Sequence, residues 1–412
     1  MFLKLILSIF VFSFIILSAA AQDTLTFMYY NILNYSPAVP ENTHNLKNIT
    51  QYIKPDIFVL NEISNDTSAT NILMYVLNID STCHYKKADF TDGPDTDNML
   101  FYNSDKLSLY KQDTILTDLR IINEYLLYYN DSAYISQHDT VFLDIYSVHL
   151  KSNTGNEQQR LDEVIRFKNH LYENLSRKNI FFGGDMNFYN SLEPALTELL
   201  SPGLYQLNDP LDSIGDWHDN PLYSHIHTQS TRTRQFGGGA DGGLDDRFDF
   251  IFVSNDIMNG TNQLKYIQGT HRALGNDGHH LNDSLTSLPL DPDIPENITY
   301  SLYDQSDHLP VIMKVYLNFD ASLPRSLIND DSFQLYPNPS SGNIDFSIKL
   351  NNKTKAELEL FTSTGQLKQI FLIEPGNAGQ HIISVKNLEN GVYIARLLTD
   401  KNVFSKKLIV VW

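Results

Sequence analysis

The chain opens on its most apolar stretch. Leu5 to Leu17 is broken only by Ser8 and Ser13, follows Lys4, and gives way to Ala19 and Ala21. A positive start, a short apolar core and small residues beyond it form the pattern of a cleavable export signal, here residues 1–21. The run falls short of the ~20 residues a spanning helix wants. No later stretch approaches that length, so no transmembrane segment is expected after signal cleavage. From there the pattern alternates. Thr24–Asn31 (TLTFMYYN) reads as a first strand. Leu46, Ile49 and Ile53 share one face of a helix that stops at Pro55. Asp56–Asn61 (DIFVLN) is continuously apolar, as in a strand buried on both faces.

A helix is expected near Ile72–Leu77, then strands at Asn98–Tyr102, Leu107–Lys111 and Val141–Leu150. Leu161, Val164, Ile165, Lys168, Leu171 and Tyr172 mark an amphipathic helix. Strands follow at Asn179–Phe182, Arg247–Val253 and Val311–Leu317. Strands alternating with helices, and with one another in hairpins, predict an α/β domain of two packed sheets flanked by helices over residues 22–320. Within it, Ser201–Asp246 carries GGGADGG and reads as a long surface loop. Residues 321–332 read as a polar linker. From 333 to 412 short alternating strands (NIDFSIKL, AELELF, KQIFLI, HIISV, VYIARLL, KKLIVV) predict a small all-β sandwich without clustered acids or histidines.

Composition narrows the classes. The 412 residues are 42% hydrophobic and 19% charged, which suits a globular protein and excludes a disordered one. The formal net charge of -19 speaks against a protein that coats a polyanion by long-range attraction. A phosphate-ester substrate would need a bound cation and a few local Arg or Lys side chains. Cys83 is the single cysteine, so an exported chain must find stability in its core or in bound metal.

Candidate chemistry sits at the strand ends. Asn31, Glu62, His149, Asp185, Asn187, Asp249, Asp307 and His308 all occur where an apolar strand ought to finish or continue apolar. Each alone reads as readily as a turn cap or a satisfied structural residue. Two are harder to set aside. Asp249 lies inside RFDFIFV, where an unpaired carboxylate is expensive to bury, and Asp185 and Asn187 share one side of an extended segment. Phosphoester hydrolysis needs such a set: oxygen ligands for a hard ion, a group to take a proton from water, and donors for charge on the phosphoryl oxygens.

In order along the chain, YYNILNY, FVLNEIS, IYSVHLKSN, FFGGDMNFY, DRFDFIFVS and QSDHLPVIM resemble the motifs of the endonuclease/exonuclease/phosphatase superfamily, over roughly Thr24 to Phe319. The resemblance implies a DNase I-like four-layer α/β/β/α sandwich and a metal-dependent phosphoric ester hydrolase. It implies Glu62 as principal metal ligand with Asn31 and Asp307 in support, and Asp185 as the group that orients or deprotonates water. Asn187 would hold a phosphate oxygen, and His308 would pair with Asp249. His149 matches the position where DNase I-like members set a His against phosphate. The implied ion is Mg2+, with Mn2+ as an alternative. Residues 333–412 (LYPNPSSGNIDF, LFTSTGQLK, NLENGVYIARL) resemble a type IX secretion sorting domain, which implies the type IX machinery as partner and an extracellular or cell-surface location.

The expected activity is an extracellular nuclease, with nucleic acid as substrate. A lipid or sugar-phosphate esterase of the same fold, sphingomyelinase- or inositol-phosphatase-like, is the alternative. A non-catalytic surface binding protein stands third, since every position of the set is filled. Arg232 and Arg234, upstream of the Asp249 strand, are candidate substrate-gripping cations. Arg120 and Arg160 fit structural ion pairs better. Asp241, Asp245 and Asp246 offer oxygens to Ca2+ as a structural ion but lack EF-hand spacing, and read as surface acids. His279 and His280 read as polar-loop residues rather than metal ligands.

Overall fold

A computed structural model describes residues 23–36, 38, 40–130, 140–173, 177–317, 333–350, 355–362, 366–374, 379–399 and 403–411. The export signal and the linker lie outside these residues. In chain order the strands are β1 (Thr24–Tyr35), β2 (Ile57–Ile63), β3 (Tyr85–Lys87), β4 (Asp97–Asn103), β5 (Leu107–Ile115), β6 (Ile122–Tyr129) and β7 (Phe142–His149). They continue as β8 (Ile180–Asp185), β9 (Leu207–Asn208), β10 (Asp249–Ser254), β11 (Leu264–Tyr266), β12 (Arg272–Ala273) and β13 (Val311–Leu317). One sheet runs β11-β13-β1-β2-β4-β3 with β12 on β13; the other runs β5-β6-β7-β8-β10-β9. β1–β2 and β7–β8 pair in parallel; the neighbouring pairs are antiparallel.

The helices are α1 (Pro40–Ile53), α2 (Asp66–Asn71), α3 (Glu157–Glu173), α4 (Pro194–Leu200), α5 (Asn255–Asn259) and α6 (Glu296–Gln305). The helix expected near Ile72–Leu77 is a π turn continuing α2. Consecutive side chains of β8 show why these strands are apolar throughout. Phe181 stacks on Phe27 of the opposite sheet at 4.1 Å, and Phe182 stacks on Phe167 of α3 at 4.1 Å. A strand with a sheet on one face and a helix on the other has no side left for water. Leu46 and Ile49 of α1 and Ile298 and Leu302 of α6 are buried in the core of the first sheet, and Val164, Phe167 and Leu171 of α3 in that of the second. The architecture is the four-layer α/β/β/α sandwich.

Two expectations need correction. The sequence pattern left β6 unread, because INEYLLYY buries Asn123 and Glu124. Glu124 can stay inside because Arg177 and His170 pair with it, His170 Nε2 at 2.6 Å. The other concerns 201–246, which is not a surface loop along its length. His227, Thr228, Ser230, Thr231 and Arg232 are each at most 1% exposed. Apart from β9 on the edge of the second sheet and a single 3-10 turn at Pro221–Ile226, the segment bonds its backbone to itself and to other loops rather than to a ladder, and it forms a packed wall beside the strand ends.

The C-terminal unit has β14 (Phe333–Tyr336), β15 (Ile344–Leu350), β16 (Ala356–Thr362), β17 (Leu367–Ile373), β18 (Gly379–Val385), β19 (Gly391–Thr399) and β20 (Val403–Val410). They form two antiparallel sheets, β14-β15-β18 and β17-β16-β19-β20. Alternate residues such as Phe346, Ile348, Leu358 and Leu360 fill the space between them, the small β-sandwich that the strand pattern predicts.

Candidate active site

Strand register assembles the site before any side chain is considered. β8 pairs in parallel with β7 so that His149 lies opposite Asp185, and antiparallel with β10 so that Asp249 lies opposite Asp185. Residues directly opposite in a sheet project from the same face, so His149, Asp185 and Asp249 form a row across three strands. In the other sheet Asn31 lies opposite Asn61, and Glu62 follows. The β1–β2 register slips between Asn31 and Tyr35, where Leu33 and Asn34 have φ of 49° and 52°, and Glu62 itself has φ of 60°. A bulge of this kind re-aims side chains, and a glutamate held at positive φ is strained backbone of the sort kept at functional sites.

The two rows meet at the rim. Asn31 Nδ2 donates to Glu62 Oε1 at 3.0 Å and to Asp185 Oδ2 at 3.2 Å. That Asp185 oxygen also lies 3.4 Å from His149 Nε2 and 3.6 Å from His308 Nε2. Asp185 Oδ1 accepts from the backbone N–H of Asn187 at 3.1 Å and from its Nδ2 at 2.8 Å. His308 Nδ1 is 2.7 Å from Asp249 Oδ2. Asn31, Glu62, His149, Asp185, Asn187, Asp249 and His308 are thus brought together. Asp307 is adjacent but committed: its Oδ2 accepts from Ala240 N at 2.6 Å and from Gln229 Nε2 at 3.1 Å.

Burial sets the protonation states. It pushes Asp185 up to about 7, with His308 opposing and Asp249 and Glu62 assisting. Burial also raises Glu62, whose hydrogen bonds come from the amides of Asn31 and Asn34. His149 goes the other way: burial first, then Arg120, hold it well below the ordinary imidazole range. Its Nδ1 has no partner, so the ring is neutral and can donate through Nε2. For His308, burial lowers basicity, but Asp249, Asp185 and Asp307 outweigh it and raise it well above the ordinary value. The Gln229 amide donates to His308 Nε2 at 2.6 Å, which suits a ring with its one proton on Nδ1 facing Asp249. Asp249, Asp185 and Asp307 favour a second proton on Nε2, which the Gln229 amide donor opposes.

Beneath this layer lies a support the strand pattern did not disclose. Asn61 Oδ1 accepts from Asp185 N at 3.1 Å, and Asn61 Nδ2 donates to Asn98 Oδ1 at 2.6 Å. Asn98 in turn donates to Asn123 Oδ1 at 3.1 Å. Thr228 Oγ1 accepts from Phe248 N and Asp249 N, and Ser306 Oγ accepts from His308 N. Gln229, which touches both His308 and Asp307, sits in irregular chain with no periodicity to flag it. The Gly183-Gly184 pair has a steric cause. A Cβ on Gly184, whose φ is +136°, would stand 1.9 Å from Val148 O and 2.7 Å from Asn61 Oδ1. Only glycine lets β7 and Asn61 approach Asp185 this closely.

The candidate gripping residues separate. Arg232 is 1% exposed, lies 3.9 Å over the Phe236 ring, and donates to the carbonyls of Phe236, Gly238, Tyr303 and Asp304 at 2.9–3.4 Å. It ties the glycine-rich loop to the end of α6, with four of its five N–H groups committed to carbonyls. Arg232→Ala is expected to destabilise the fold by about 3–5 kcal/mol, by leaving carbonyls without a donor and opening a cavity. Thermal unfolding checks this; an unchanged Tm would deny the clamp. Arg234 is exposed. Arg160 pairs with Glu193 at 2.7 Å, and Arg120 with Asp95 at 3.0 Å. Asp246 is buried, contrary to its reading as a surface acid, and so is His280, bonded to Asp277 at 3.0 Å.

Among solved structures the chain is similar to D. rerio TDP2 complexed with a single-strand DNA product, with 14% identity and a TM-score of 0.47 over 71% of this chain and 98% of that one. It is similar to an endonuclease/exonuclease/phosphatase from Bacteroides vulgatus, at 14% identity and a TM-score of 0.47, covering 72% and 100%. The human Nocturnin catalytic domain with bound sulfate is 18% identical, with a TM-score of 0.45, covering 72% and 97%. No curated protein matches the chain in sequence. The family model of the secretion system C-terminal sorting domain matches residues 334–411. The C-terminal β-sandwich is therefore a secretion-system sorting domain, and the chain carrying it is a secreted or cell-surface protein.

Proposed function

We propose that this chain is a divalent-metal-dependent phosphodiesterase acting outside the cell on nucleic acid, exported through the type IX machinery by its sorting domain. One observation carries the reading. Around a single buried carboxylate, Asp185, stand two imidazoles, two amides and a second acid held by one of those amides. Asp185, raised toward 7, takes a proton from water near neutral pH while Asn187 fixes its other oxygen. The water oxygen bonds to phosphorus as the ester P–O bond breaks, and the leaving oxygen keeps the electron pair and takes a proton from solvent. Both Nδ2 hydrogens of Asn187 are taken, by Asp185 Oδ1 and Leu150 O, so neutral His149 and His308 present the N–H groups to the phosphoryl oxygens, with Asp249 compensating the charge on His308.

The donor set fits a hard divalent ion of the magnesium type. Glu62 is half-buried, receives only amide N–H groups, and pairs with no Lys or Arg among the described residues. Glu62 would be the principal ligand, supported by Asn31 and Asp307, with remaining positions for water and phosphate. Such an ion supplies neutralisation of charge at the phosphoryl group, which a chain of net charge -19 otherwise lacks.

The test is hydrolysis by the full mature chain. Plasmid DNA or RNA should be cleaved with Mg2+ or Mn2+ and left intact with chelator. Cleavage of sphingomyelin or an inositol phosphate instead would transfer the reading to a lipid or sugar-phosphate esterase. Inertness on all of these with metal supplied would overturn catalysis altogether.

A further inference from the structure

A second constellation lies outside the Asp185 site. His218, Asp245 and Asp246 each offer one ligand atom, and these atoms all lie within 4.8 Å of one another. His218 Nδ1 is 2.9 Å from Asp246 Oδ1. Two donors each about 2.1 Å from one ion stand roughly 3.0–3.4 Å apart, so this pair is already near ligand spacing. Asp246 is 8% exposed, and its neighbour Arg247 turns away to hold Asp209 at 2.7 Å. Among the described residues no Lys or Arg pairs with Asp245, Asp246 or nearby Asp216 and Asp219. Burial raises both Asp245 and Asp246, with Asp246 adding to the rise of Asp245 and Asp216 to that of Asp246, while His218 opposes both.

We propose that His218, Asp245 and Asp246 form a second divalent-cation site that latches the 216–219 loop onto the wall of the active site. An imidazole with two carboxylates favours a borderline ion such as Zn2+ over Mg2+ or Ca2+, which prefer oxygen alone. Three protein ligands leave at least one position for water, and the half-exposed His218 leaves a path for the ion to enter. The latch has somewhere to act. Asp245 N and Asp246 N both donate to Gln229 O at 2.9 Å, and Asp219 N donates to Asp245 O at 2.9 Å. Gln229 is the residue whose amide touches His308 and Asp307. The cation would fix the backbone that sets Gln229 without touching the reacting atoms.

The experiment uses the full mature chain carrying Glu62→Gln, to weaken the other metal site, stripped of metal and titrated with Zn2+ by equilibrium dialysis. Glu62→Gln is expected to retain one equivalent, and adding His218→Ala with Asp245→Asn to weaken binding by about 100-fold. Zn2+ should raise the Tm of the single variant and leave that of the triple variant unmoved. The metal-free Tm and circular dichroism of the two proteins establish that both are folded. Equal Zn2+ affinity in both proteins, or none in either, would overturn the site. Neither readout involves hydrolysis, so the result stands apart from the fate of the phosphodiesterase reading.

Discussion

Asp185→Asn is expected to lower hydrolysis by about a thousandfold or more, and in the same molecule to make the metal-free protein harder to unfold above pH 7. The first effect follows because Asn cannot accept the proton of the attacking water. The second follows from burial. The folded carboxyl titrates near 7, whereas an unfolded Asp titrates at about 3.9. Between these values the folded protein keeps a proton that the unfolded chain releases. The contribution to stability is full below about pH 4 and is lost as pH rises through 7. The neutral amide escapes that loss. Its advantage should be near zero at pH 4 and of order 2–4 kcal/mol at pH 8, read from denaturant unfolding in chelator. Saturating Mg2+ should shrink the gap, because a cation at Glu62 stabilises the ionised carboxylate of the wild type. Wild-type turnover in Asp185→Asn would remove Asp185 from the chemistry; equal stabilities at pH 8 would deny the cost of its charge.

The same opposition between burial and charge explains what the chain disclosed as a sequence. Asp249 is conspicuous because a carboxylate inside an apolar strand needs a partner, and Asp185 because it shares one side of an extended segment with Asn187; the register of β7, β8 and β10 brings the two acids together with His149. The Gly183-Gly184 pair was visible, but its cause, the approach of Val148 and Asn61, is a fact of packing. Glu62 could be named from DIFVLNE; its left-handed backbone could not, because glutamate has no preference for that region. Gln229 and the Asn61–Asn98–Asn123 chain left no periodic signal at all. Polar residues that serve by contacting one another across long separations leave nothing for a local pattern to register. Arg232 shows what a local pattern does not carry: a basic residue near a presumed phosphate site suggests a grip, and four carbonyls and a ring hold its guanidinium in place.

His308→Gln and Asp249→Asn should each cost about 10²–10⁴ in kcat with KM little changed, and the double variant should cost no more than the worse single one. The reasoning rests on the 2.7 Å contact between His308 Nδ1 and Asp249 Oδ2 and on the absence of any comparable task for Asp249 alone. With Asn at 249 the ring loses the charge that makes it basic and the acceptor that holds Nδ1–H, so Nε2 no longer carries a proton to the phosphoryl oxygens. Once that proton is gone, removing the ring takes away little more. A positioning role for Asp249 also predicts a pH effect that a purely structural role does not. In Asp249→Asn the alkaline limb of the pH profile, where His308 loses its proton, should move to lower pH, since the carboxylate is the first of the charges raising its basicity. Additive losses in the double variant, or an unmoved alkaline limb, would show that the two residues act separately.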